Sequence, residues 1–112
     1  MINIETAEKY QWGTNCLGWH LLNNPTLSII QEIIPSGSGE QLHKHAKSQQ
    51  FFYILKGSAY FLINGKSEIL NPFEGIHVQP NDTHKIENNK SEDLEFLVIS
   101  QPHAHGDREN TE

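Results

Sequence analysis

An all-β fold, a sandwich or a barrel of jelly-roll type, is the architecture this 112-residue sequence predicts. Three observations carry that expectation. The segments between turn residues are short and rich in β-branched and aromatic side chains. The five prolines stand at the edges of those segments, where a missing N–H breaks no ladder. No window of helical length carries an apolar face at the 3.6-residue period.

Taken in order, the chain opens on a turn within residues 5–10, followed by N-terminal strands that hold Trp12, Cys16, Trp19 and His20. These strands are expected to pack on a dimer partner or to cover a barrel mouth. Residues 26–34 (TLSIIQEII) read as a long strand, and Pro35-Ser36-Gly37-Ser38-Gly39 as the turn that feeds the next strand, around His43-Lys44-His45. Gln50 opens an apolar strand over 51–55, closed by Gly57. Strands at 59–63 and 66–70 flank Asn64-Gly65, a two-residue hairpin signal because both turn positions need positive φ. A strand through Ile76-His77-Val78 leads by a proline turn to His84, and residues 94–100 form the last strand. The tail, 101–112, is polar and is expected to be loosely ordered beyond Arg108.

Fourteen acidic against eight basic residues give a net charge of −6, and no basic stripe appears. Nucleic acid and anionic membranes are therefore poor partners. The longest apolar runs fall far short of a membrane span, and the first twenty residues lack the basic start and apolar stretch of a secretory signal. The single cysteine, Cys16, excludes an internal disulfide. The sequence reads as one soluble, cytoplasmic domain over 1–112, with its barrel core at about 26–100.

Histidine is the compositional outlier, with seven residues, at 20, 43, 45, 77, 84, 103 and 105. His43 and His45 are two apart, so on an extended strand they face the same way at a spacing of about 6–7 Å and can approach one ion. With Gly37, Gln50 and Gly57 they make the pattern G-x5-H-x-H-x4-Q-x6-G. Farther on, Gly75, Pro80, His84 and Asn88 make a second: a glycine, a proline turn, a histidine and an asparagine four positions later.

The first pattern resembles motif one of the cupin family, G-x5-H-x-H-x3-4-E-x6-G, and the second resembles motif two, G-x5-P-x-G-x2-H-x3-N. The chain is similar to the small single-domain cupins of the cupin 2 type, including those grouped with mannose-6-phosphate isomerase-like and polyketide-cyclase-like proteins. That resemblance implies a cupin double-stranded β-helix. It also implies that His43, His45 and His84 ligate one divalent metal ion per chain (Fe, Mn, Ni or Zn), with Gln50 in the position of the family's glutamate. A carboxamide is neutral and offers only its carbonyl oxygen, so the full charge of the ion acts on whatever binds opposite, while metal affinity falls. Ligand histidines must be neutral, so metal loss is expected below about pH 6 to 6.5. Motif two departs as well: Gly75 to Pro80 is one residue short, and Asp82 replaces the usual glycine, although Asn81 and Asp82 both suit a tight turn.

Strand alternation places Phe52 and Ile54 on the side of Gln50. With Phe61, Ile63, Ile76 and Val78 they are the expected apolar walls of a substrate pocket. His77 falls on the opposite face, and His103 and His105 lie in the polar tail, where Asp107 and Arg108 are expected at most to fold back as a pair. Catalytic residues are unassigned; Glu40, Tyr53 and the tail histidines are unranked candidates for a general base. The expected function is that of a metal-binding small cupin acting on a small organic molecule as a dioxygenase, isomerase or cyclase. A non-enzymatic small-molecule-binding or sensing cupin is the alternative. A homodimer is expected in either case, with a small-molecule ligand and neither nucleic acid nor membrane as partner.

Overall fold

The computed structural model describes residues 1–104 and 106–111. Eleven strands run through them: β1 (Glu8–Trp12), β2 (Cys16–Asn24), β3 (Leu27–Ile34), β4 (His43–His45), β5 (Gln49–Lys56), β6 (Ala59–Ile63), β7 (Lys66–Leu70), β8 (Gly75–Val78), β9 (His84–Glu87), β10 (Leu94–Gln101) and β11 (Arg108–Asn110). They form two antiparallel sheets, ordered β1-β2-β3-β10-β5-β8 and β11-β4-β9-β6-β7. The described residues contain no helix, and so none long and apolar enough to cross a membrane.

Alternation decides what each strand gives to the interior. In β5, Gln50, Phe52 and Ile54 are buried while Gln49 and Phe51 are exposed. In β10, Leu94, Phe96, Val98 and Ser100 all point inward. The rings of Phe52 and Phe61 meet edge-on at 5.0 Å, and Phe52 stacks on Phe96 at 6.0 Å. Ile34, Ile54, Val78, Ile86 and Leu94 fill the space around them. Each such side chain contributes roughly 1.5–3 kcal/mol by leaving water.

The Asn64-Gly65 turn has φ of 48° and 79° and joins β6 to β7 in the expected two-residue register. Its asparagine also reaches out of the hairpin. Nδ2 donates to Asp82 Oδ1 at 2.9 Å, Oδ1 accepts from the Thr83 N–H at 3.0 Å, and the Asn64 N–H donates to the Thr83 carbonyl at 2.8 Å. The loop that delivers His84 is thus clamped to the hairpin. Within that loop the left-handed position is taken by Asn81, at φ 70°. Asp82, standing where the motif has glycine, folds its carboxylate onto the Gln79 N–H at 2.9 Å.

One expectation about the chain ends is corrected. The tail does not loosen beyond Arg108: β11 pairs with β4, with Arg108 opposite His45 and Asn110 opposite His43. The carboxylate of Asp107 accepts the N–H groups of Ala46, Lys47 and Ser48 at 2.9–3.2 Å, which seats the strand. Asp107 and Arg108 thus both fold back onto the β4 region, Asp107 onto the following turn and Arg108 toward Glu40. At the other end, β1 and β2 extend the chain's own six-stranded sheet. Cys16 lies fully buried in the core with Trp12 packed against it, and Trp19 is covered by the Lys9 ammonium at 5.8 Å from its ring. His20 faces the interior cavity described below.

Phe96, fully buried between the sheets, is expected to carry much more of the stability than Phe73, which is 72% exposed. Phe96→Ala should lower unfolding free energy by about 3–5 kcal/mol and Phe73→Ala by less than about 0.5 kcal/mol, measured by denaturant titration.

Candidate metal centre

His43 and His45 share one face of β4, and the single register pair between β4 and β9 sets His43 opposite His84. The three imidazoles are buried, with ring centroids 4.3 Å apart for His43 and His84, 5.1 Å for His43 and His45, and 5.7 Å for His45 and His84. One nitrogen from each lies within 4.8 Å of the others, and together they form a group that could hold a metal ion. Behind them, His84 stacks almost parallel on Phe61 at 6.1 Å, so the aromatic core forms the floor of the cluster.

Backbone carbonyls choose the tautomers. His43 donates its Nδ1 proton to the Gln41 carbonyl at 2.8 Å, and His84 donates its own to the Asp82 carbonyl at 2.9 Å. A carbonyl can only accept, so in each neutral ring the proton is on Nδ1 and the Nε2 lone pair is free to bind a cation. Burial holds both rings neutral. Desolvation, then the neighbouring histidine, lowers His43 to about 3; desolvation takes His84 to about 4, and the same cause lowers His45. Burial thus lowers the pH at which protons compete for these nitrogens, relative to a free imidazole. The buried Nδ1 of His45 has no hydrogen-bond partner among the described residues.

Gln50 adds a fourth donor. Its Nε2 meets the Ser100 hydroxyl at 3.0 Å, and its Oε1 faces His84 Nε2 at 3.1 Å. With the His84 proton on Nδ1, that second contact brings two lone pairs together with no hydrogen between them. A cation beside them would satisfy both, and this orphaned pair is the observation that fits a metal to the site. Without one, turning the amide over lets Nε2 donate to His84 while Oε1 accepts from Ser100. A glutamate there would be a buried uncompensated charge.

A cavity of about 510 Å³ opens beside the cluster, with His45 and Gln50 in its wall. The six apolar residues expected to line a substrate pocket do not line it. Phe52, Ile54, Phe61 and Val78 are at most 1% exposed in the packed core, and Ile63 and Ile76 pack against that core. The cavity uses the other end of the barrel interior, where Ser28, Ser100 and Gln50 stand side by side across β3, β10 and β5. Tyr10, His20, Glu32, His103 and Arg108 complete its polar wall. Of these, Glu32 had a sequence signal: it is the one charged residue of β3 and has the inward parity of Ser28, Ile30 and Ile34. Arg108 and Tyr10 had none.

The remaining histidines and candidate bases divide. His77 is exposed, with Nε2 2.8 Å from Gln49 Oε1, as alternation predicts. The His20 ring tilts against Tyr10 at 4.8 Å between centroids, and His20 and His103 both line the cavity wall. His105 lies outside the described residues. Tyr53 is on the outer face of β5, away from the site. Glu40 is close: its Oε2 lies 3.9 Å from the Arg108 guanidinium and its buried Oε1 has no partner among the described residues. Burial pushes Glu32 up to about 7 and Glu40 up to about 8, against the pull of Arg108 on both.

A profile of the Cupin_2 family, described as a cupin domain, matches residues 29–100. The chain belongs to the cupin family. It is 36% identical over 78 residues, 70% of its own length and 64% of the relative's, to a Thermotoga maritima protein named as oxalate-binding. The chain thus spans about two thirds or less of the length of the curated relatives it matches. Among solved structures, the polyketide cyclase RemF from Streptomyces resistomycificus superposes with a TM-score of 0.84 at 14% identity, covering all of this chain and 84% of that one. A cupin-superfamily sugar phosphate isomerase from Silicibacter pomeroyi gives 0.80 at 13% identity, covering 92% and 76%. These two likenesses establish the shared fold.

The buried titratable groups predict a two-sided stability profile for the metal-free chain. Carboxyls raised from 4.5 toward 7 and 8 make the folded state bind more protons than the unfolded one, so stability falls as pH rises through that interval. Histidines lowered from 6.5 toward 3 and 4 do the reverse, and stability falls as pH drops through theirs. The two oppose each other between about pH 4.5 and 6.5, and each acts alone outside it. The thermal midpoint should be highest in that window and decline on both sides, with Glu32→Gln and Glu40→Gln flattening the alkaline limb. A midpoint that climbs through pH 8 would contradict the buried-acid assignment.

Proposed function

We propose that this cupin is a metal-dependent enzyme for a small oxygen-bearing organic molecule, of isomerase or cyclase type. His43, His45, His84 and the carbonyl oxygen of Gln50 are its metal ligands. The observation that carries this is the convergence of three neutral imidazoles and one amide oxygen at the wall of a cavity. Such a donor set suits Fe, Mn, Ni or Zn, and the ion would supply Lewis-acid polarisation of a bound oxygen. The protein's own part is to hold and orient the molecule. Ser28 and Ser100 offer hydroxyls beside the ligands, Arg108 offers a guanidinium, and Tyr10 with Glu32 offers groups that can hold a proton. A proton-rich wall favours isomerisation or cyclisation over dioxygenation, and the cupin fold serves an isomerase and a cyclase among its structural relatives.

The second reading, a binder without turnover, is favoured by the relative whose name says that it binds oxalate. Titration of the metal-loaded protein with oxalate by calorimetry separates the two when paired with a search for turnover: saturable binding with no conversion of any hydroxy- or keto-carbonyl compound selects the binder. We also read the chain as a homodimer joined through the outer face of the six-stranded sheet, where Leu22 and Phe51 are 39% and 40% exposed. Sedimentation equilibrium should give twice the 12.8 kDa of one chain, and a monomer mass would rule this out.

Elemental analysis checks the ligand set. Metal content near one ion per chain should fall close to zero in His43→Ala and in His84→Ala, and Gln50→Glu should bind the ion more tightly by adding a charge. The wild type should keep its metal at pH 5 and lose it toward pH 4 and below, as protons reach the buried imidazoles.

A further inference from the structure

Opposite the metal ligands, one row of the six-stranded sheet is built in an unusual way. Tyr10 on β1 pairs with Gly18 on β2, and Gly18 pairs with Glu32 on β3. The Tyr10 ring lies directly over Gly18, where an added Cβ would fall 2.2 Å from Cζ and 2.4 Å from the hydroxyl oxygen. The missing side chain lets the tyrosine cross a whole strand. Its hydroxyl donates to Glu32 Oε2 at 2.5 Å, a short charge-assisted bond when the acid is ionised. Both residues line the cavity that has His45 and Gln50 in its wall. Nothing in the packing of the barrel requires a carboxylate at this inward position; its neighbour in β10, Phe96, is core.

We propose that Glu32 is the proton-transferring catalytic residue of the cavity and that Tyr10, laid across Gly18, positions it. The inference rests on the metal-dependent reading above and adds the substrate class: a small molecule with a C–H bond next to a carbonyl. The Glu32 carboxylate takes the proton from that carbon. The C–H bond breaks, its electron pair becomes a C=C bond, and the carbonyl π pair moves onto the oxygen. Glu32, its proton exchangeable with solvent, then returns a proton to that carbon or to the oxygen, which gives the enol. Where the first carbon bears a hydroxyl, the proton goes to the neighbouring carbon while the hydroxyl proton passes to the enolate oxygen. In each case the carboxylate is restored with no oxidant or reductant. The charged and titratable groups around Glu32 are Tyr10 on β1, Cys16 and His20 on β2, Glu40 in the loop before β4, His45 on β4, His103 after β10 and Arg108 on β11. Burial against the pull of Arg108 and the Tyr10 hydrogen bond leaves Glu32 near 7, where it both accepts and returns a proton at neutral pH.

The test uses dihydroxyacetone in D2O as probe, with exchange of its carbon-bound hydrogen followed by NMR and metal content measured on every sample. Wild type should exchange hydrogen faster than the free metal ion. Glu32→Gln, which keeps shape and the Tyr10 contact, should lose about 100-fold or more while retaining metal. Tyr10→Phe and Gly18→Ala should each lose roughly 10-fold, with the pH profile displaced, because both release Glu32 from its partner. An independent readout is the infrared carbonyl stretch of protonated carboxyls in the metal-free protein near pH 6: one band should vanish in Glu32→Gln and shift in Tyr10→Phe, and a second should vanish in Glu40→Gln. Full metal content with no exchange by wild type, or with Glu32→Gln within threefold of it, overturns the role of Glu32 and leaves the metal site standing. Absence of metal from wild type overturns both.

Discussion

The constraint on which the site depends is the pairing of β4 with β9 at one position, His43 opposite His84. A three-residue strand made of His-Lys-His has no apolar side chain with which to anchor itself, so hydrogen bonds must hold it. β11 pairs along its other edge, the Asn81 N–H bonds the His45 carbonyl at 2.7 Å, and Asp107 caps the turn that follows. On the far side, Asn64 clamps the loop whose Asp82 carbonyl orients His84. The histidine cluster is therefore assembled by polar contacts from four separate parts of the chain, while the Phe52, Phe61 and Phe96 rings form the rigid floor beneath it.

That division extends through the barrel. Inward-facing positions of β3, β5 and β10 run from Ser28, Gln50 and Ser100 at one end to Ile34, Ile54 and Leu94 at the other. The apolar end is filled and closed; the polar end is open and adjoins the histidine cluster. A carboxylate at Glu32 lies between the two, in surroundings dry enough to raise its affinity for a proton and open enough to reach a bound molecule. The low proton affinity of the histidines and the high proton affinity of Glu32 and Glu40 have one origin, burial, acting on bases and acids in opposite senses.

The strands, the Asn64-Gly65 hairpin and the four residues now proposed as ligands were legible in the sequence, because alternation and motif spacing are local signals. The cavity was not. Parity says that Phe52 and Ile54 face inward, as they do, but a barrel interior has a packed half and an open half, and period-two patterning is blind to which one a residue enters. Tyr10 and His20 reach the cavity only through the registers of β1 and β2, with a bulge between His20 and Leu22 that no residue type announces. β11 escaped notice because Arg-Glu-Asn has neither alternation nor β-propensity; it is a strand because Asp107 and β4 make it one.

Whether His43, His45, His84 and Gln50 surround one metal ion is decided by anomalous diffraction at the metal edge from crystals of protein purified without an affinity tag. A single strong peak per chain is expected among the three imidazoles, with the Gln50 carbonyl oxygen turned toward it. A strong peak elsewhere, or none at these residues in protein that contains a full equivalent of metal, would contradict it.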